Sequence, residues 1–143
     1  MNEKFTAKIS LSINASPEKI WDALTNPEKI KLYFFNTNAV SDWKVGSPLI
    51  FKGIWEGVEY VDKGIILKSD SPTVFQFTYF SSFSGLEDLP ENYALITYQL
   101  TDKNGKTELT VTQDGIDTEE RKKHSEENWK SVFDGLKKLV EEK

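Results

Sequence analysis

His124 is the single histidine of the chain, and the chain contains no cysteine. Thiol catalysis, disulfides and thiolate metal sites are therefore absent. Zinc would have to be held by carboxylates and one imidazole, which is not its usual ligand set. A Ser–His–Asp arrangement would have to use His124. Helical spacing puts that residue about 120° from the direction of Leu136, toward the polar side of the last helix, where a solvated imidazole is expected. "GSPLIFKG" has neither the glycine spacing nor the lysine of a phosphate-binding loop. Carboxylates remain: Glu56, Glu59 and Asp62 around Gly57, and Glu87, Asp88 and Glu91 in a long connection. A pair of them could act as acid and base, but hairpin tips and loops are wet, and surface solubility accounts for them more simply. No residue is assigned a catalytic role, and no metal or cofactor is expected.

Aromatic side chains carry more information. They make up 13% of the 143 residues. In the stretch 73–80, Phe75, Phe77 and Tyr79 share one face at strand spacing. In 92–102, Ala94, Ile96, Tyr98 and Leu100 do the same. In the closing "NWKSVFDGLKKLVEEK", Trp129, Val132, Phe133, Leu136, Leu139 and Val140 fall on one face at helical spacing.

The elements that must position these residues are legible by period and punctuation. Residues 5–15, "FTAKISLSINA", alternate apolar and polar, as in a half-buried antiparallel strand. Ser16 with Pro17, and Asn26 with Pro27, mark the starts of two short helices as cap and first helical residue. Strands are expected from Ser47 to Gln113. "WEGV" turns the chain around Gly57, and Asn104-Gly105 suits a type I′ hairpin. A long connection spans residues 81–92. Asp117 or Thr118 caps the last helix, Asp117 with Glu120 forming a candidate capping box. Glu119–Lys123, Glu126–Lys130 and Asp134–Lys138 are candidate surface pairs on it. The reading is α+β, one domain over residues 1–143: an antiparallel sheet of about six or seven strands whose apolar face is covered by the C-terminal helix.

"INASPEKIWDALTNPEKIKLYF", "GIILKSDSPTVFQFTY" and "NWKSVFDGLKKLVE", in this order and spacing, resemble the START-like or helix-grip (SRPBCC) superfamily. Within it they resemble the AHSA-type family, related to the C-terminal domain of activators of a heat-shock chaperone ATPase. The resemblance covers nearly the whole chain. The family usually carries threonine–tryptophan at Thr78-Tyr79 and glycine–tryptophan at Asn128-Trp129; both departures keep an aromatic ring. The resemblance implies the helix-grip fold: a curved sheet around a long C-terminal helix, with two short helices after the first strand. It also implies a choice of roles, since the superfamily includes lipid and hormone binders, polyketide cyclases and proteins that sequester reactive compounds. In eukaryotic chaperone activators this domain is joined to a separate N-terminal domain with no counterpart here, so at most a weak chaperone effect is expected.

If the strand aromatics face the helix, they either fill the interior or wall a cavity. An empty apolar void of about 300 Å³ would cost around 7 kcal/mol, against a total stability of about 5–15 kcal/mol. The space must then be packed by rings, small, open to water or occupied. Traced backward from Trp129, the inner stripe of the last helix turns polar at Ser125, Lys122, Arg121 and Thr118. That half either overhangs solvent, the simpler reading, or frames a wet pocket mouth. The expected function is a binder of a small apolar or aromatic molecule without turnover. Its walls would be Phe51, Phe75, Phe77, Tyr79, Tyr98, Trp129, Phe133 and Leu136, with Phe83 and Leu86 as a possible lid. The alternatives are a cyclase- or hydrolase-type enzyme acting on an aromatic or polyketide-like substrate, and an interaction domain of the chaperone-activator kind. A net charge of −5 and basic clusters interleaved with acids argue against nucleic acid. No apolar run reaches membrane-helix length, and no signal segment is evident, so a cytoplasmic protein with no membrane partner is expected.

Overall fold

Local rules build the elements, and the computed structural model describes residues 5–34, 36–81 and 87–141. The alternating N-terminal stretch is strand β1 (Phe5–Ile13). Ser16 accepts from the Lys19 amide at the start of α1 (Pro17–Thr25), and Asn26 accepts from the Glu28 amide at the start of α2 (Pro27–Tyr33). Strands β2 (Asn38–Val40), β3 (Pro48–Trp55), β4 (Val58–Asp70), β5 (Val74–Tyr79), β6 (Ala94–Lys103) and β7 (Lys106–Ile116) follow. The hairpin tips Glu56-Gly57 and Asn104-Gly105 all have positive φ, 49° and 81° in the first and 55° and 90° in the second. That is the type I′ signature, matched to the twist of the flanking strands. The last helix, α3, runs Glu119–Glu141. Its cap is Thr118, whose hydroxyl accepts from the Arg121 amide at 3.1 Å; the Asp117–Glu120 box is not the device used.

The seven strands form one sheet in the order β1-β7-β6-β5-β4-β3-β2, and every neighbouring pair is antiparallel. With two short helices after β1 and a long helix at the end, this is the α+β helix-grip architecture. β2 lies outside the range expected to be strand, since three residues are too few to show a period. Trp129, Val132, Phe133, Leu136 and Val140 of α3 are buried, and Leu139 at the stripe's border is half-buried. They close on Ile13, Ile66, Phe75, Phe77, Ile96, Leu109 and Val111. No helix among the described residues is long and apolar enough to cross a membrane.

α3 also seals one edge of the sheet. Glu126 accepts the Lys8 amide at 3.0 Å, Glu141 accepts the Asn14 amide at 2.7 Å, and Lys137 Nζ donates to the Ser12 carbonyl at 2.9 Å. An edge strand's unpaired backbone groups invite pairing with other chains, and covering them removes that hazard. The other edge is the short β2. Among the described residues, none of the three expected helix-face pairs closes. The ion pairs on α3 are Arg121–Asp117 at 3.6 Å and Lys137–Glu141 at 2.9 Å.

Edge sealing gives a pH prediction. The Asn14 amide, then Lys137, holds the Glu141 carboxyl below its ordinary value near 4.5. A depressed carboxylate contributes stability above its unfolded pKa and loses that contribution as pH falls through its folded pKa. The hydrogen-exchange protection of the Asn14 amide should therefore fall on acidification below about 4.5, before that of β6 and β7 amides. In Glu141→Gln the early loss should vanish. A wild-type Asn14 amide that tracks the sheet centre at every pH would refute this.

Candidate functional site

Three inward-facing rows of the sheet change character along their strands. On β4 the row is Ile66, Gly64, Asp62 and Tyr60. On β5 it is Phe75, Phe77 and Tyr79, and on β7 Leu109, Val111 and Gln113. α3 changes in the same sense, from Leu136 and Phe133 through Val132 and Trp129 to Ser125 and Arg121. At the apolar end the rows interlock. At the other end they stand apart and leave an open cavity of about 560 Å³. Tyr60, Asp62, Tyr79, Ser81 and Gln113 wall it on the sheet side. Trp129, Val132, Ser125, Asn128, His124 and Arg121 wall it on the helix side, with Phe34 from the end of α2.

Hydrogen bonds hold the walls. Gln113 Oε1 accepts from Trp129 Nε1 at 2.9 Å and from the Ser125 hydroxyl at 2.7 Å, which sets the indole plane. Phe34 stacks on Phe51 at a centroid distance of 5.8 Å and meets Trp129 edge-on at 6.1 Å. The Tyr60 hydroxyl bonds Thr37 Oγ1. Its ring crosses Gly53, where a Cβ would lie 2.6 Å from Tyr60 Cζ, so a larger residue there would have to shift the ring.

Tyr79 donates its hydroxyl to Asp62 Oδ2 at 2.5 Å, and Asp62 is only 6% exposed. Burial first, and the Asp62 charge second, push the Tyr79 phenol well above its ordinary pKa. The phenol therefore stays protonated through the physiological range and keeps its proton aimed at the carboxylate. Among the described residues, no group of three or more His, Asp or Glu side chains is placed to hold a metal ion.

Of the residues expected to line a cavity, Tyr79 and Trp129 stand on its wall. Phe51, Phe75, Phe77 and Tyr98 are buried around a residual void of about 10 Å³, at most one water. Phe133 and Leu136 are buried in the same core. Rings meet at 5.6 Å for Phe75–Phe77, 5.7 Å for Phe77–Tyr98 and 5.8 Å for Tyr98–Phe133. These residues support the cavity from behind. Phe83 and Leu86 lie outside the described residues.

Two expectations change. Asp62 is not at a wet hairpin tip but faces inward. Counting back by twos from Ile66 along β4 reaches it, so the signal was present in the strand period. The first half of α3 does not overhang: Arg121, His124, Ser125 and Asn128 frame the cavity. His124 is exposed, but on that rim.

Comparison with known proteins agrees with this fold. Residues 14–141 match the family described as activator of Hsp90 ATPase homolog 1-like protein. The solution structure of ChR145 from Cytophaga hutchinsonii is 47% identical with a TM-score of 0.86, over 99% of this chain and 97% of that one. The Aha1 dimer from Colwellia psychrerythraea is 22% identical with a TM-score of 0.75, over 95% and 96% of the two chains. CalU16 from Micromonospora echinospora is 17% identical with a TM-score of 0.74, over 96% and 85%. The last two likenesses concern the fold alone. No protein in the curated set matches the chain.

Proposed function

Since this chain belongs to the activator of Hsp90 ATPase homolog 1-like family, whose fold suits a ligand-binding or Aha1-like domain, we propose that it is a cytoplasmic binder of a small apolar or aromatic molecule. The whole chain is read as one binding domain. The observation that carries this reading is the open cavity of about 560 Å³ beside interlocked rings that leave a void of only about 10 Å³ among Phe51, Phe75, Phe77 and Tyr98. Poor packing does not account for it, because the neighbouring rings interlock. Kept dry and empty, a volume of that order would cost on the order of 13 kcal/mol, comparable with the whole stability of a domain. Opening to solvent relieves that cost, and an apolar ligand gains by replacing water against Trp129, Val132 and Phe34.

Ligands that bind only the folded state raise its stability by mass action, by about 2.7 kcal/mol at 100 times Kd. A thermal-shift screen of fatty acids, flavonoids, polyketide-like aromatics and sterols should find compounds that raise Tm and change Trp129 fluorescence. Ser125→Phe, which puts a ring into the cavity, should abolish the shift while the protein stays folded. No shift and no fluorescence change with any compound would sink the binding reading. Conversion of a bound compound, lost in Tyr79→Phe, would move the reading to an enzyme.

The family match also favours a second reading, contact with a chaperone of the same cell. An ATPase assay with that chaperone should show little change on adding this protein. Several-fold stimulation would put the interaction role first.

A further inference from the structure

The chain has 18 lysine and arginine residues, and a single one of them is arginine. That arginine, Arg121, and the single histidine, His124, both line the cavity. Among the described residues no lysine does. The two stand three residues apart on α3, which makes them neighbours on one face of the helix. Lysine is a point charge on a flexible stem, whereas the planar guanidinium matches a carboxylate through two parallel hydrogen bonds. Asp117 lies 3.6 Å from the Arg121 guanidinium, and the two side chains are 45% and 55% exposed. An exposed pair of that kind is worth little, and five N–H donors are more than one carboxylate at that distance engages. His124 offers an N–H beside it in either protonation state. Asp62 stands on the sheet wall, where it accepts the Tyr79 hydroxyl, so the helix wall is the side that attracts an anion. Farther along the helix wall come Trp129 and Val132. From Arg121 to Trp129 the helix rises about 12 Å, a gap that an arginine side chain and a bicyclic or medium-chain ligand span together.

Resting on the binding reading above, we propose that the ligand is an organic acid, one carboxylate on an apolar body. The carboxylate sits at the cavity mouth against Arg121 and His124, and the body lies inward against Trp129, Val132 and Phe34.

The test separates this assignment from the binding reading. N-phenyl-1-naphthylamine, an uncharged fluorescent probe of apolar cavities, reports whether the cavity binds at all. Calorimetric titration at neutral pH then compares two acids with uncharged partners of similar size: 1-naphthaleneacetic acid with 1-naphthaleneacetamide, and decanoic acid with 1-decanol. In at least one pair the acid should bind at least about ten-fold more tightly than its partner, the size expected for hydrogen bonds to a charged group. In Arg121→Gln that advantage should disappear. In Arg121→Lys, which keeps the charge but not the fork, it should survive in part. If the probe binds but neither acid is favoured over its partner, the acid assignment is overturned and the binding reading stands. An advantage that persists in full in Arg121→Gln overturns the assignment as well, because the carboxylate is then held elsewhere. If neither the probe nor any of the four compounds binds, both readings fall. Should Arg121→Gln fail to fold by circular dichroism, the wild-type comparison and Arg121→Lys decide.

Discussion

Phe133→Ala is expected to lower the unfolding free energy by about 3–5 kcal/mol, the range for removing a fully buried ring. Phe133 is 0% exposed. Its ring meets Tyr98 at 5.8 Å and Trp129 at 5.7 Å, so it joins the sheet to α3 at the apolar end of the grip. The surrounding rings are themselves held by neighbours, Tyr98 by Phe75 and Phe77 and Trp129 by Phe34. Little can move in to fill the gap, which places the cost in the range of poorly relaxing sites. Urea or guanidinium melts should show a lower midpoint with an unchanged slope, the mark of altered stability without a changed unfolding reaction. A loss below about 1 kcal/mol would mean that this face of α3 is not core. Phe133 does not line the cavity, so the fraction that stays folded should keep its ligand affinity.

Gly64→Ala is expected to cost about 3 kcal/mol or more, at the upper end of what overpacking does. Gly64 lies on β4 between Lys63, bridged to Phe80, and Ile66, paired with Phe77, so the register sets it opposite Tyr79. A Cβ there would come within 2.5 Å of the Thr78 carbonyl carbon. That neighbour is backbone and cannot rotate away, so β5 would have to separate from β4. The Ile65 amide would lose the Thr78 hydroxyl it donates to at 2.9 Å, and Tyr79 would be drawn off Asp62. The comparison variant is Gly57→Ala, where φ is +81° and nothing lies within 4 Å of a new Cβ. Only backbone strain acts there, of order 1–2 kcal/mol. Equal costs for the two variants, or a mild one at Gly64, would show that β4 and β5 do not approach as described.

Both variants act on the same design. The apolar ends of β4, β5, β7 and α3 pack tightly enough to hold their polar ends apart, and the cavity is what remains between those ends. Interlocked apolar side chains at the tight end and a more polar set at the open end give the cavity its place.

Most of the fold was determined by the sequence alone. The alternation of residues 5–15, the caps Ser16 and Asn26 with their prolines, the turns at Glu56-Gly57 and Asn104-Gly105 and the apolar stripe of α3 were all readable. Each depends on side-chain period or hydrogen bonding within a few residues, where the sequence is also the neighbourhood. β2 was not readable, because three residues of strand exist only by pairing with β3. The site was readable as a set of inward faces but not as a place. Periodicity puts Phe77 and Tyr79 on one face alike; it does not say that one packs on Tyr98 while the other lines open space. That is decided by how far β4, β5 and β7 stand from α3, a separation set by contacts between residues distant in sequence, from Asp62–Tyr79 to Asn14–Glu141. The same separation decides that Asp62 is buried and that Arg121 and His124 frame a mouth, because burial is a property of what lies across the gap.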